Sequence, residues 1–400
     1  MKAKLPLIFL SLLLSSCYFQ QKLANHNLAS NFHPRSVVVH AALNHCNNQS
    51  SLLLSFSSHG KNKPVYEFLK QYNLSFFTVH SYNSGTTSIA APLSIQDSGS
   101  TENNIWIKAN LPPLHPEDNI LVIEMEETSG KGVEIRDFSI PKILSGKIAL
   151  YEKEYNAPVL TNYLLTSKTY SLQSFCQESD SHKAIFYKPN DLPALPPMIT
   201  SQTHPTLVPD STFILKKNTM FSFTREGFIK IYSENSDSLW FLVKNKNYPK
   251  ISSVEEMIEP LIYITSDTEY QKMYSHPNLK VALDSFWLSI GGNKEYTRKL
   301  IRSYYERVEF ANASFTTFKE GWKTDKGMIY LLFGSPDEVF KYNTREEWIY
   351  NFDPKSPIVF IFKSSEHSPS YGFTELDRRP EYKGIWLQTV EKIRNGSIVK

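Results

Sequence analysis

Acidic residues in the C-terminal part of the chain are its main candidates for chemistry. Asp325, Asp337 and Glu338 lie within 14 residues of one another, and Asp377 and Arg378 follow further along. Paired carboxylates serve as general acid and base in hydrolysis, and they also hold metal ions that assist it. A carboxylate-dependent hydrolase is therefore one function that these residue types allow.

The sequence patterns of common enzyme sites are absent. The chain contains no GxSxG nucleophile elbow, no HExxH zinc motif, no P-loop and no GxGxxG dinucleotide motif. Nine of the eleven histidines precede residue 205, so only His276 and His367 accompany the C-terminal carboxylates. We therefore predict a non-enzymatic protein with no catalytic residue, no metal site and no cofactor.

A short apolar run separates two of the candidate carboxylates. Met328–Phe333 is apolar throughout, which is typical of a strand covered on both faces. Residues 321–327 and 334–337 flank it with the residue types that favour tight turns. Such a strand rises about 3.3 Å per residue, so Asp325 and Asp337 would meet only if a turn folded back.

The residues around the first turn resemble a family signature. Gly321-Trp322-x-Thr324-Asp325 is similar to the motif of the GWxTD-domain family, found mostly in Bacteroidota, and the resemblance extends over roughly residues 253–365. It implies an envelope lipoprotein of a family with largely unknown function. We interpret the signature residues as structural or interaction residues: Gly321, Trp322, Thr324, Asp325, Gly327, Gly334, Pro336, Asp337, Glu338 and Trp348.

The chain has 400 residues, of which 41% are hydrophobic, enough for several packed domains. Short apolar runs alternate with turn residues over positions 35–142, which predicts an Ig-like β-sandwich module. Positions 143–250 hold further β-like runs around a proline-dense stretch at 189–209, and predict a second β-rich module with a long loop. The rest of the chain, 251–400, is predicted to form the domain that carries the signature.

The apolar period changes to that of helices after residue 250. Ser253 and Glu256 have capping-box spacing, and Asn278–Ile290 and Lys294–Asn312 each place apolar residues on one face. Helices followed by a small antiparallel sheet make this an α+β domain. Its other predicted elements are strands at Glu346–Phe352 and Pro357–Phe362 and a closing amphipathic segment at Ile385–Ile393.

The N-terminus has the form of a secretory signal. Lys2 and Lys4 precede the apolar run Leu5–Leu14, which is too short to span a bilayer. The following Ser-Ser-Cys resembles the lipobox of bacterial lipoproteins, so residues 1–17 are predicted to be a lipoprotein signal peptide. That resemblance implies acylation of Cys17; the alternative is an ordinary signal peptide that contains a cysteine.

Residues 18–34 are polar, rich in Asn and Gln and without periodicity, which predicts a tether. Position 18 is Tyr, not the aspartate that commonly retains lipoproteins at the inner membrane. Surface-exposed lipoproteins of some Gram-negative groups carry acidic residues just after the cysteine, whereas the first acidic residue here is Glu67. We therefore expect a lipid anchor in the outer membrane, with the protein on its periplasmic face.

Two further cysteines, Cys46 and Cys176, remain in the mature chain. The periplasm permits a disulfide between them, and a bond that closes so long a loop stabilises by several kcal/mol (about 2–4). The alternative is two buried free thiols that pack as small apolar residues.

The balance of charge argues against a nucleic-acid partner. Lys and Arg number 43 against 40 Asp and Glu, which gives no strong field. We predict an outer-membrane-anchored, non-enzymatic scaffold or accessory subunit of an envelope complex for outer-membrane protein assembly or secretion. Its expected partners are the membrane, through the N-terminal lipid, and outer-membrane proteins. A glycan- or peptide-binding lipoprotein, with exposed aromatic residues in the β-modules, is the first alternative, and the hydrolase is the second.

Overall fold

The computed structural model describes residues 22–34, 36–46, 49–58, 70–84, 91–101, 104–130, 132–143, 148–174, 180–189, 192–200, 207–232, 238–291, 294–353, 355–364 and 373–397. Cys17 and Cys176 lie outside these ranges, and so does the side chain of Cys46. The lipid anchor and the disulfide therefore stay predictions. Among the described residues, no helix has the length and apolar composition needed to cross a membrane.

The first module is a sandwich of two antiparallel four-stranded sheets. Its elements are β1 (Val37–Cys46), β2 (Gln49–Ser58), β3 (Tyr72–Val79), β4 (Ala91–Pro92), β5 (Ser94–Ser100), β6 (Asn104–Leu111), β7 (Ile120–Glu127), β8 (Val133–Ser139) and the short helix α1 (Ile140–Ile143). The sheets have the strand orders β1-β2-β6-β5 and β4-β3-β7-β8. Alternate residues of each strand face inward, and buried side chains such as Leu54, Ile107 and Ile123 form the core.

The second module also consists of two sheets around one core. Its strands are β9 (Ile148–Glu152), β10 (Ala157–Pro158), β11 (Tyr163–Leu165), β12 (Tyr170–Ser174), β13 (Ser181–Tyr187), β14 (Pro209–Lys216), β15 (Met220–Phe221), β16 (Gly227–Tyr232) and β17 (Ser238–Lys244). The strand orders are β10-β9-β12-β15 and β11-β17-β16-β13-β14, and Leu150, Leu172 and Ile229 lie in the shared core. The predicted β-sandwich character of the N-terminal region is confirmed.

The C-terminal region is α+β, as predicted. It contains α2 (Val254–Ile258), α3 (Asp267–Tyr274), α4 (Leu279–Gly291), α5 (Lys294–Phe315), α6 (Asp325–Phe333), α7 (Tyr382–Arg394), β18 (Glu338–Lys341), β19 (Arg345–Tyr350), β20 (Ile358–Ser364) and β21 (Thr374–Leu376), with 3-10 turns at Glu259–Tyr263 and Gly321–Lys323. The sheet has the order β18-β19-β20-β21 and is antiparallel. The capping box of Ser253 and Glu256 is present. Helix α3 and strands β18 and β21 were not predicted.

Met328–Phe333, which the sequence predicts as a strand, is instead the C-terminal part of helix α6. All residues from Gly327 to Phe333 are buried, so the helix has no polar face and its sequence shows no helical period. A short apolar run of this kind does not distinguish a buried strand from a buried helix. The deciding signal is Thr324, a helix N-cap residue type placed just before the run.

Residues 22–34 form an N-terminal strap against the α+β domain. Leu23, Leu28 and Phe32 are buried in the same core as α5 and α6, and the N–H of Leu28 donates to the carbonyl of Val339 at 2.8 Å. The strap thereby covers the edge of β18, which would otherwise expose unpaired backbone groups. The predicted tether is therefore wrong over its described part, because three well-spaced apolar anchors outweigh a polar average composition.

The middle of the proline-dense stretch, residues 192–199, lies without regular secondary structure against the signature region. The N–H of Ala194 donates to the carbonyl of Lys323 at 2.9 Å, and the N–H of Arg379 donates to the carbonyl of Pro197 at 3.0 Å. Both Ala194 and Pro197 are buried. A loop that leaves the second sandwich thus becomes part of the C-terminal core.

Phe32→Ala is expected to release the strap. The Phe32 ring lies 4.8 Å from that of Trp348 between centroids, and truncation of a buried phenylalanine costs about 3–5 kcal/mol. Hydrogen–deuterium exchange at the amides of Ala24 and Leu28 should become faster. The exposed substitution Ser30→Ala is the control and should change nothing; unchanged exchange in Phe32→Ala would show that Phe32 does not anchor the strap.

Candidate functional site

The backbone approaches itself very closely at residues 321–327, which lie at the end of the α5–α6 connection and in the first turn of α6. Gly321 lies against the carbonyl of Ala311 in α5, and a Cβ at position 321 would overlap that oxygen. Gly327 lies against the carbonyl of Gly321, which a Cβ at position 327 would overlap in the same way. Only glycine fits at these two positions, so packing accounts for both.

Trp322 is buried directly after this contact. Its indole N–H donates to Oε2 of Glu320 at 2.8 Å, and its backbone N–H donates to Oδ1 of Asn312 at 3.3 Å. The ring meets Tyr263 edge-on, with centroids 6.0 Å apart. A buried tryptophan whose N–H is hydrogen-bonded adds packing area without an unsatisfied polar group.

Thr324 is the N-cap residue of α6. Its Oγ1 accepts from the N–H of Gly327 at 3.1 Å and donates to the carbonyl of Gly321 at 2.7 Å. The side chain therefore satisfies one of the free N–H groups at the start of the helix and also closes the preceding 3-10 turn. Both signature glycines and the threonine belong to one local hydrogen-bonded unit.

The carboxylate of Asp325 ties the start of α6 to strand β21. Its Oδ2 accepts from the N–H of Leu376 at 2.7 Å and from Nη1 of Arg378 at 3.1 Å, and its Oδ1 pairs with Nη2 of Arg378. The two side chains are 5% and 10% exposed. A bidentate pair fixes orientation as well as distance, and a carboxylate in the first helical turn is favoured by the helix dipole.

The second signature turn ends α6 and leads into β18. Gly334 has a φ of +77°, a conformation that glycine adopts at no steric cost, and Pro336 is buried. Oδ2 of Asp337 accepts from the N–H of Asn351 at 2.8 Å, and Oε1 of Glu338 accepts from the Asn351 amide at 3.2 Å. These two carboxylates connect the turn to the end of β19.

Trp348 fills the space between the strap, α5 and the sheet. It is fully buried, its ring lies 5.7 Å from that of Phe315 between centroids, and its indole N–H donates to Oε1 of Glu346 at 2.6 Å. Phe32 covers its other side. The last signature residue is thus the contact through which the strap reaches the core.

The candidate acid–base residues do not assemble into one site. Asp325 begins α6, whereas Asp337 and Glu338 follow its other end, and Asp377 forms surface ion pairs. The structure joins Asp325 to Arg378, and that pair is an internal clamp. In the part of the chain that the structure describes, no group of three or more His, Cys, Asp or Glu residues could hold a metal ion.

Arg307 has a role that the sequence did not reveal. Its Nη1 donates to the carbonyls of Leu331 and Leu332, both at 3.0 Å, and so satisfies the C-terminal end of α6. Burial lowers the pKa of this guanidinium to about 10. The available signal was its position on α5: it lies three residues after Tyr304, and therefore on the buried face.

Buried ion pairs extend from α6 to the first sandwich. Lys326 pairs with Glu346 at 2.8 Å, and Lys341 pairs with Asp137 of β8 at 2.8 Å. Burial by itself would raise the pKa of Glu346, but Lys326, Lys341 and the indole N–H of Trp348 hold it at about 2. Glu346 is therefore ionised inside the folded domain.

A polar cleft of about 160 Å³ opens beside the signature. We call it the hydroxyl cleft, because Ser314, Thr316, Thr317 and Thr324 line it together with Lys326. Oγ of Ser314 and Oγ1 of Thr317 are buried and have no hydrogen-bond partner among the described residues. No sequence pattern pointed to this cleft, since its lining comes from several separate segments.

Residues 218–395 match the model of the GWxTD domain. This part of the chain is a GWxTD domain. The matched region confirms the resemblance seen in the signature, and it starts earlier than residue 253, so that β15, β16 and β17 of the second sandwich lie within it. The GWxTD domain as matched therefore joins part of a β-sandwich to the α+β core.

Comparison with other known proteins adds little. No curated protein matches the chain. A solved structure described as an anomalous substructure of Titin-A168169 is similar at 10% identity over 52% of this chain and 98% of that chain, with a TM-score of 0.15. A score this low carries no argument about fold or function.

The ionised Glu346 predicts acid sensitivity of the GWxTD domain. Its pKa is lowered from 4.5 to about 2 in the folded chain, so its stabilising contribution is full above pH 4.5 and disappears as the pH falls towards 2. Urea unfolding of Glu346→Gln should show a shallower loss of stability than the wild type over that interval. Glu347→Gln, on the neighbouring residue of the same strand, is the control, and equal slopes in wild type and Glu346→Gln would contradict the assignment.

Proposed function

We propose that this GWxTD-domain protein is a non-enzymatic scaffold or accessory subunit of an envelope complex, anchored in the outer membrane by a lipid on Cys17 and facing the periplasm. The observation that supports a scaffold is that the signature carboxylate serves the fold of the protein itself. Asp325 binds Arg378 and the backbone of β21, and both are internal partners. A general acid or base must instead reach a substrate.

The position of the strap is consistent with a short connection between a lipid on Cys17 and the folded domain. Its first described residue, Lys22, is only five residues after Cys17, and a chain of that length spans at most about 17 Å. A lipid on Cys17 would then hold the GWxTD domain itself close to the membrane surface. Partners in the membrane would meet the α+β domain first, although it is the last domain in the sequence.

Aromatic exposure argues against glycan stacking on the β-modules. Among the described residues, the exposed aromatic side chains are Tyr274 and Tyr296, and both lie on helices of the C-terminal domain. The described residues of the sandwiches therefore offer no support for a sugar-binding surface made of exposed rings. The scaffold role in outer-membrane protein assembly or secretion is the function we retain.

Cys17→Ala tests the anchor. The wild-type chain should enter the detergent phase on phase separation of solubilised envelopes. The reason is that each acyl-chain methylene buried in detergent contributes about 0.8 kcal/mol to the partitioning free energy. The variant should stay in the aqueous phase. Detergent partitioning of Cys17→Ala equal to that of the wild type would contradict a lipid on this residue.

The scaffold role is tested by affinity purification of the full chain from the same detergent-solubilised envelopes. Integral outer-membrane proteins should co-purify in fixed stoichiometry with the wild type. The same purification is carried out with Phe32→Ala, which alters the strap, and with Ser30→Ala as its control. Recovery of the protein without any integral membrane partner, or a turnover that Asp325→Asn abolishes in a folded chain, would contradict the scaffold.

A further inference from the structure

Residues 192–199, here called the proline segment, contain the spacing of a common recognition motif. Pro193 and Pro196 are separated by two residues, as in the PxxP ligands that dock in grooves of other proteins. Such ligands bind as polyproline II helices, which have three residues per turn and no internal hydrogen bonds. Their backbone groups must therefore find partners on the surface that they occupy.

Burial along the proline segment follows that period of three. Ala194 and Pro197 are buried, whereas Leu192 and Leu195 are exposed. One edge of the segment thus lies in the α+β domain, where Met198 adds a partly buried contact, and the opposite edge faces solvent. Since the two buried side chains are small and apolar, the polar contacts of this edge are made by the backbone.

The α+β domain contacts that backbone at four points. Nζ of Lys319 donates to the carbonyl of Leu192 at 3.2 Å, and Nη2 of Arg378 donates to the carbonyl of Leu195 at 3.3 Å. The other two are the backbone–backbone bonds described with the overall fold. All four contacts use atoms that any extended peptide offers, so the groove recognises a conformation and leaves the exposed side chains free to vary.

The signature residues position two of these contacts. The carbonyl of Lys323, in the signature turn, accepts from the N–H of Ala194 at 2.9 Å, and Ala194 packs in the same core as Trp322. Asp325 pairs with Arg378 through both of its oxygens, and a bidentate pair fixes the orientation of the guanidinium. The GWxTD motif therefore forms part of the groove as well as part of the fold.

We propose that this groove docks an extended proline-rich segment of a partner protein, and that the chain's own proline segment occupies it as an intramolecular competitor. The seated segment shows the chemistry of the occupant, which has prolines three positions apart and a small residue after the first of them. A tethered competitor acts at a high effective concentration, so a partner needs its own segment presented at a comparable one, as within an assembled complex. The inference names a partner class for the proposed scaffold and rests on that role in this respect.

Fluorescence anisotropy tests the groove with the full chain in detergent and a labelled synthetic peptide of residues 191–200. The wild type should bind this peptide weakly, because its own segment competes. Ala194→Asp in the chain places a charge at a buried position, so it should vacate the groove and strengthen peptide binding at least about tenfold. Leu192→Asp, the same change at an exposed position of the segment, is the matched control and should bind the peptide like the wild type.

Three further changes show what the groove recognises. A peptide with Ser in place of Leu192 and Leu195 should bind as tightly as the original, because these side chains face solvent, whereas a peptide with Ala in place of its prolines should bind more weakly, because it loses the preformed helix. Lys319→Met in the Ala194→Asp chain removes one donor and should weaken binding about tenfold.

Hydrogen–deuterium exchange of the wild type makes the test independent of how Ala194→Asp folds. Excess peptide should speed exchange at the amide of Ala194, which is released when the peptide takes its place, and should leave the amide of Leu332 in α6 unchanged. The proposal is overturned if excess peptide does not speed exchange at Ala194, if folded Ala194→Asp binds no more tightly than the wild type, or if the peptide without prolines or the Lys319→Met chain binds equally well. Such a failure would leave the co-purification of outer-membrane proteins unaffected, so it is distinguishable from failure of the scaffold role.

Discussion

The buried ion pair between Asp325 and Arg378 is the contact on which the C-terminal domain depends. It joins the first turn of α6, the central helix, to β21 at the edge of the sheet. Burial removes both charges from water, so each requires the other, and loss of one partner leaves an uncompensated charge inside the protein. The remaining signature residues, from Gly321 to Thr324, place α6 so that this pair forms.

Distant segments complete the same core. The strap at 22–34 and the proline segment at 192–199 both pack against the region of α5 and α6, and Lys341 reaches Asp137 of the first sandwich. The GWxTD domain is therefore not closed by residues 218–395 alone. A segment from the N-terminal part of the described chain thus seals the C-terminal domain.

The sequence predicted those elements whose residues alternate between buried and exposed faces. Strands such as β6 and the long helix α5 have one face in the core, and their periods of two and 3.6 residues show it. Helix α6 is buried on all sides and has no such pattern, so its sequence predicts a strand instead. The sequence pattern does not predict the strap, because Leu23, Leu28 and Phe32 are isolated among polar residues. The signature is visible in the sequence as a unit, but the partner of Asp325 lies more than fifty residues away and only the fold identifies it.

A double-mutant cycle on Asp325→Asn and Arg378→Gln tests the central claim that the signature carboxylate is a structural clamp. Urea unfolding of the wild type, both single variants and the double variant would give the coupling energy, and Asp377→Asn with Arg379→Gln supplies the matched surface pair. We predict a coupling of about 2–3 kcal/mol for the buried pair and less than about 1 kcal/mol for the exposed one. A coupling near zero for Asp325 and Arg378 would contradict the clamp.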